Sequence, residues 1–193
     1  MPLTRSFFEV KDFIPAVIFR THFQNFSMAT VIAIPILGGL MIIQSSLVSR
    51  MPLLQGTADL ILLAIIAWAL QKRVQTAWQW CIIGALIFGL VSNLPVLVPL
   101  IGYGLATGMA LYLRRRVWQT PILAMFVTTF FGTLITLGVT VIALGIMGTS
   151  LPIPQTINLV FLPSLLLNLV IGIPIYALIG DLAKWIYPEE LEE

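Results

Sequence analysis

The chain has 193 residues, of which 59% are hydrophobic and only 9% are charged, and its mean hydropathy is +1.03. Soluble globular domains carry about 25% charged residues, so this composition excludes a water-soluble protein and predicts a single integral membrane domain. The net charge of +2 predicts no nucleic-acid partner, and the single cysteine, Cys81, excludes a disulfide within the chain.

Residues 1–27 come before the first apolar run and mix phenylalanines with charged side chains. This pattern fits an interfacial amphipathic helix or a partly ordered cytoplasmic tail, and the sequence leaves both open. His22, the only histidine, lies in this segment, where we expect an interfacial residue and not a ligand.

Six apolar segments are predicted to cross the bilayer as helices, which takes about 20 residues each. Pro95 disfavours a continuous helix, so the third and fourth segments form a hairpin across the tight break SNLP. The predicted spans are 28–47, 53–70, 78–91, 95–113, 121–147 and 159–185. The expected fold is an all-α polytopic bundle over residues 28–187, followed by an acidic cytoplasmic tail at 188–193.

The charges predict the orientation of this bundle. With a cytoplasmic N-terminus, only Arg50 would lie outside, and nine basic residues would lie inside: Arg5, Lys11, Arg20, Lys72, Arg73, Arg114, Arg115, Arg116 and Lys184. This asymmetry follows the positive-inside rule and places both termini in the cytoplasm. The same side would carry an aromatic belt of Trp68, Trp78, Trp80, Trp118 and Trp185.

The basic residues next to the spans are predicted to contact lipid headgroups and to set the topology. They are Lys72, Arg73, Arg114, Arg115 and Arg116. Docking of a cytoplasmic partner at the three consecutive arginines is the alternative.

The spans carry no paired carboxylates, histidine pairs or nucleophile motifs of the kind that an intramembrane enzyme needs. We therefore expect a protein without catalytic activity, cofactor or metal site. Asp59 is the one candidate for a buried acid, near the outer end of the second span. It could pair with Arg50, the other charge expected on the outer side. Its role could be that of a carboxylate at a helix N-terminus, or that of a polar anchor for a partner or ligand at the outer mouth.

Small and polar residues recur at helical spacing in three spans, and this pattern predicts faces that pack against other helices. The predicted faces are Gly104 with Gly108, Thr128 with Gly132, Thr136 and Thr140, and Ser164 with Asn168 and Gly172. The contact could lie within the bundle or with another protein. Pro174, inside the last span, is expected to bend its helix.

Several segments resemble the rod shape-determining protein MreD family. ADLILLAIIAWALQKRVQTAWQW (58–80) resembles the family's second-helix region, with Asp59, Trp68 and Arg73 at the matching positions. GALIFGL (84–90) and LPSLLLNLVIGIPIYALIGDLAKWIYPEE (162–190) are similar to its third and last helices, so that the resemblance covers about 53–190. One departure is GLVSNLP (89–95), which has Val91, Ser92 and Asn93 but lacks the acid that many members carry there. The role of that acid is either lost in this chain or taken by Asn93.

The resemblance implies a noncatalytic component of the bacterial cell-elongation machinery in the cytoplasmic membrane. It implies that the chain binds MreC and helps to couple MreB filaments to peptidoglycan synthases, with other membrane proteins of that machinery as further partners. The implied fold is the six-helix S-component arrangement of energy-coupling-factor transporters. A substrate-binding subunit of a vitamin transporter is therefore the alternative function.

Overall fold

A computed structural model describes residues 28–46, 56–116, 120–149 and 153–188 of the chain. Its regular structure is entirely helical within these ranges. The helices are α1 (Met28–Ser46), α2 (Leu60–Leu70), α3 (Ala77–Val91), α4 (Leu97–Arg116), α5 (Pro121–Ile146), the short α6 (Ile153–Thr156) and α7 (Leu162–Ile186). A π-helical turn at Ile157–Phe161 joins α6 to α7.

Four stretches of helix are long and apolar enough to cross a membrane, namely α1, α4, α5 and the continuous run Pro154–Ile186. This confirms the expected class of helical membrane protein. The prediction of a helix over 53–70 was wrong in its length, because α2 begins only at Leu60 and residues 56–59 are not helical. Its 11 residues rise about 16 Å, roughly half of the hydrocarbon thickness.

The short helix α2 lies at the centre of the bundle, where all of its residues are buried. It packs against α3, α4, α5 and α7, and α1 adds Ala29, Ala33 and Leu37 to the same core. A helix that is apolar on every side is stable only when it is enclosed. Because its neighbours shield α2 from lipid, α2 need not match the bilayer thickness.

The helices alternate in direction, so the bundle has two distinct ends. We call the end at the N-terminus of α2 the Asp59 end, and the end at its C-terminus the Arg114 end. In the described ranges, every lysine and arginine lies at the Arg114 end: Lys72, Arg73, Arg114, Arg115, Arg116 and Lys184. The basic residues of the described bundle thus lie together at one end, as the distribution of charges along the sequence predicts.

Two of the predicted belt tryptophans are core residues. Trp68 and Trp80 are fully buried and stack with their ring centroids 4.2 Å apart. Each indole N–H has a partner, since Trp68 donates to Thr76 Oγ1 (3.1 Å) and Trp80 donates to the carbonyl of Ala29 (3.0 Å). Their assignment to an aromatic belt was therefore wrong, because the α2–α3 turn and α1 enclose them.

The structure describes two further tryptophans, and both lie at the surface. Trp78 and Trp185 are exposed at the Arg114 end, where a belt is expected. Trp118 lies outside the described residues.

Arg114 supports the turn that connects α2 to α3. Its Nη1 donates to the carbonyls of Gln71 (2.9 Å) and Val74 (2.8 Å). Arg73 makes a similar bond from Nη1 to the carbonyl of Tyr187 (3.1 Å). Both arginines therefore bind backbone of this chain, a role that the prediction of headgroup contact did not include.

Candidate functional site

Residues 56–59, which we call the entry segment, lead without helical structure into α2. Two of its N–H groups bind side chains of α7: Thr57 donates to Ser164 Oγ (3.0 Å) and Asp59 donates to Asn168 Oδ1 (2.8 Å). Non-helical backbone among membrane helices is stable only where protein groups or a polar cavity satisfy it. Ser164 and Asn168, which are 3% and 1% exposed, provide these acceptors.

Asp59 is the N-cap of α2. Its Oδ1 accepts from the N–H of Leu62 (2.9 Å), as a capping carboxylate does. The buried Tyr103 hydroxyl lies 3.0 Å from Oδ1 and 2.9 Å from Oδ2 and donates to this carboxylate. This geometry corresponds to the first of the two alternatives for Asp59, a carboxylate at a helix N-terminus. Arg50, its suggested ion-pair partner, lies outside the described residues.

Asn168 also joins the entry segment to α5. Its Nδ2 donates to Thr133 Oγ1 (3.0 Å), while its oxygen accepts from Asp59. From the other side, Gln44 of α1 accepts from the N–H of Leu60 (2.9 Å), which has no partner within its own helix. Polar side chains from α1, α4, α5 and α7 thus converge on the start of α2.

Sequence reasoning missed four participants of this site: Gln44, Tyr103, Thr133 and Gly56. Gly56 begins the entry segment and approaches α7 so closely that a β-carbon there would lie 2.5 Å from Pro163 Cβ. Gln44 could have been found as an amide inside an otherwise apolar span. Thr133 lies just outside the predicted stripe, and no spacing rule marks it as the partner of Asn168.

The predicted threonine stripe of α5 bonds to its own helix. Thr128, Thr136 and Thr140 donate to the carbonyls of Ala124 (2.6 Å), Gly132 (2.8 Å) and Thr136 (2.9 Å). Such i−4 bonds use the hydroxyl proton within the helix. These hydroxyls therefore donate no hydrogen bond to another helix, and the stripe contributes through close packing. At Gly132, for example, a β-carbon would lie 3.0 Å from Ile66 Cδ1.

The glycine pair of α4 does not make a close contact with the described residues. No described atom lies within 4 Å of a β-carbon placed at Gly104, and only Trp78, at 3.9 Å, lies that close at Gly108. The close approach on α4 occurs at Gly102, where a β-carbon would lie 3.2 Å from Thr136. A partner contact at Gly104 stays a prediction.

The remaining predicted residues lie on α7. Gly172 is buried in ordinary van der Waals contact, with Met125 Cε 3.5 Å from a β-carbon placed there. Pro174 is exposed, and α7 continues through it to Ile186. Pro174 thus faces away from the core.

A cavity of about 140 Å³ lies beside the entry segment. Its polar wall includes Gln44, Thr57, Asp59, Thr136, Ser164 and Asn168. Phe88 and Leu94 contribute to its apolar wall. Among the described residues, no three His, Cys, Asp or Glu side chains lie close enough to hold a metal ion.

Comparisons with protein-family models, with curated proteins and with solved structures find no match for this chain.

The role of Asp59 as a cap gives a testable expectation for Asp59→Asn. Asparagine keeps an oxygen for the N–H of Leu62 and is an equally good N-cap, so the loss in free energy of unfolding should stay below about 1 kcal/mol. Unfolding of the purified protein in mixed detergent–SDS micelles measures this loss. Asp181→Asn, which changes an exposed acid at the other end, is the control. Unfolding of Asp59→Asn under native conditions would show that the fold needs the charge itself.

Proposed function

We propose that this chain is a noncatalytic, MreD-like component of the bacterial cell-elongation machinery in the cytoplasmic membrane. It binds MreC and helps to couple MreB filaments to peptidoglycan synthesis. The Arg114 end faces the cytoplasm in this proposal, since the positive-inside rule places clustered lysines and arginines there. The Asp59 end and its cavity then face outward.

The size of the cavity at the Asp59 end is the observation that carries the proposal. Sites for drug-sized ligands measure about 300–1,000 Å³, whereas this cavity measures about 140 Å³. It suits one or two side chains of a protein partner. The half-buried Leu94, Leu137 and Thr140 lie on its wall, where a partner would make contact.

Depletion of the protein in its rod-shaped host, with recovery of MreC on the tagged chain, tests this function. We expect depleted cells to round up and MreC to copurify with the chain. Cells that keep their rod shape, together with absence of MreC from the purified material, would contradict the proposal.

A matched pair of substitutions on α5 tests the place of contact. Thr140→Phe should fill the cavity and lower the recovery of MreC about tenfold, equal to the loss of about 1.4 kcal/mol of binding free energy. Ile142→Phe alters a side chain that is 64% exposed on the same helix and should leave recovery unchanged. Equal recovery with both variants would place the contact elsewhere.

The polar cavity among membrane helices also favours the alternative function, a substrate-binding subunit of a vitamin transporter with an S-component fold. The cavity volume of about 140 Å³, however, argues against a vitamin-sized ligand. Submicromolar binding of riboflavin, thiamine or biotin by the purified chain would favour this alternative over the MreD-like function.

A further inference from the structure

The cavity at the Asp59 end has a carboxylate in its wall but no basic side chain among its lining residues. Every lysine and arginine of the described ranges lies at the opposite end of the bundle, beyond an α2 helix that rises about 16 Å. A charge among membrane helices is costly, and such charges are almost always paired. The cavity therefore favours a positively charged group.

The carboxylate of Asp59 can accept a further hydrogen bond. Two donors of the described chain bond to it: the N–H of Leu62, 2.9 Å from Oδ1, and the hydroxyl of Tyr103. An ionised carboxylate offers about four acceptor positions. Because Asp59 lines the cavity, a group inside the cavity can donate to a position that these two donors leave open.

The Tyr103 hydroxyl distinguishes between the two kinds of basic side chain. It lies 3.0 Å from Oδ1 and 2.9 Å from Oδ2, so it occupies the edge of the carboxylate where a guanidinium would form two parallel bonds. A lysine ammonium is a compact charge with three donors on a flexible stem, and it does not need this edge. The geometry therefore favours an ammonium over a guanidinium.

The rest of the cavity wall suits such a group and its stem. Thr136 and Thr140 line the cavity and donate their hydroxyl protons to their own helix, so their oxygen lone pairs can accept from an ammonium. Phe88 and Leu94 offer an apolar surface to the methylene groups of the stem. The volume of about 140 Å³ far exceeds the 10–15 Å³ that a single water needs.

We propose that the Asp59 cavity binds the ammonium group of a lysine side chain of the protein partner, which pairs there with the carboxylate of Asp59. This inference rests on the proposed function, which supplies the partner, and it adds the chemistry of the contact. A free primary amine would present the same group, so the test separates these two sources.

Ligand-observed NMR of the full-length protein in a neutral detergent tests the ammonium site without any partner. The probes are n-butylammonium, which has the length of a lysine side chain, and butyramide, a neutral molecule of similar size. Asp59→Asn removes the charge and keeps the cap, so its fold should be retained. Asp181→Asn, at the opposite end, is the matched control.

We expect butylammonium to bind the unaltered chain and the Asp181 variant equally, with a Kd in the millimolar range. Asp59→Asn should weaken this binding about 30-fold, as expected when one member of a hydrogen-bonded charge pair is lost. Equal binding by both variants, or butyramide binding as tightly as butylammonium, would overturn the proposal.

Recovery of MreC on the tagged chain then identifies the source of the ammonium group. Asp59→Asn should lower this recovery at least about tenfold, and Asp181→Asn should leave it unchanged. MreC recovered equally with both variants would overturn the inference and leave the proposed function intact. MreC absent even from the unaltered chain would contradict the proposed function, and butylammonium binding would then assign the cavity to a free amine.

Arg50→Gln provides a further test, because Arg50 is the cation of this chain suggested for Asp59 from the sequence and lies outside the described residues. We expect this variant to bind butylammonium as the unaltered chain does. Binding by Arg50→Gln but not by the unaltered chain would show that Arg50 fills the cavity, and would overturn the proposal.

Discussion

Replacement of Gly56 by alanine should destabilise the fold by about 3 kcal/mol, at the upper end of the cost of overpacking. A β-carbon at this position would lie 2.5 Å from Pro163 Cβ and 2.7 Å from the backbone nitrogen of Ser164. Backbone cannot move aside as a flexible side chain can. The entry segment would have to shift, and the bond from Thr57 to Ser164 would be lost with it. The loss is measured by unfolding in mixed detergent–SDS micelles.

Gly104→Ala is the matched control for this prediction. It adds the same methyl group where no described atom lies within 4 Å, and alanine is the better helix former by about 1 kcal/mol. We expect this variant to be as stable as the unaltered protein or slightly more so. Equal stability of Gly56→Ala and Gly104→Ala would show that the entry segment does not lie against α7.

Asn168→Leu should cost about 2 kcal/mol of unfolding free energy while the protein still inserts into the membrane. The substitution removes the acceptor for the N–H of Asp59, which has no helical alternative, and an unsatisfied buried group costs about 1–3 kcal/mol. Thr133 loses its donor as well, but its hydroxyl can bond to its own helix, as Thr128 and Thr136 do. The expected cost thus exceeds the average of about 0.6 kcal/mol for side-chain bonds between membrane helices.

Asn158→Leu, in the π-helical turn, is the control for this substitution. Asn158 is exposed, so its loss should change stability by no more than about 0.5 kcal/mol. Recovery of MreC with each variant shows whether the change also affects a partner. Unchanged stability of Asn168→Leu together with unchanged recovery would contradict its role at the start of α2.

Local pattern was enough to predict the apolar helices and one of the packing faces. Ser164, Asn168 and Gly172 recur every four residues, and a helix brings such residues onto one face whatever surrounds it. The structure places all three in buried positions. The capping role of Asp59 was likewise one of two alternatives, because an acid before an apolar run is a typical helix start.

The length of α2 and the environment of the tryptophans could not be predicted in this way. An apolar run has the same sequence signature whether it faces lipid or the centre of a bundle. Trp68 and Trp80 were therefore expected in the interfacial belt, whereas they stack in the core. Neighbouring helices enclose α2, Trp68 and Trp80. This enclosure explains both why α2 can be short and why the two indoles are buried.

The apolar runs and the residues next to them are sufficient to predict a helical membrane protein, with its lysines and arginines at one end of the described bundle and polar residues on one face of the last helix. These properties depend on residues close together in the chain. The partners of those polar residues follow from the packing of the helices, because they are distant in sequence: Thr57 bonds to Ser164 and Asp59 to Asn168, 107 and 109 residues further on. The non-helical entry segment must find acceptors where water is excluded, and only the packing of α7 against α2 brings them there.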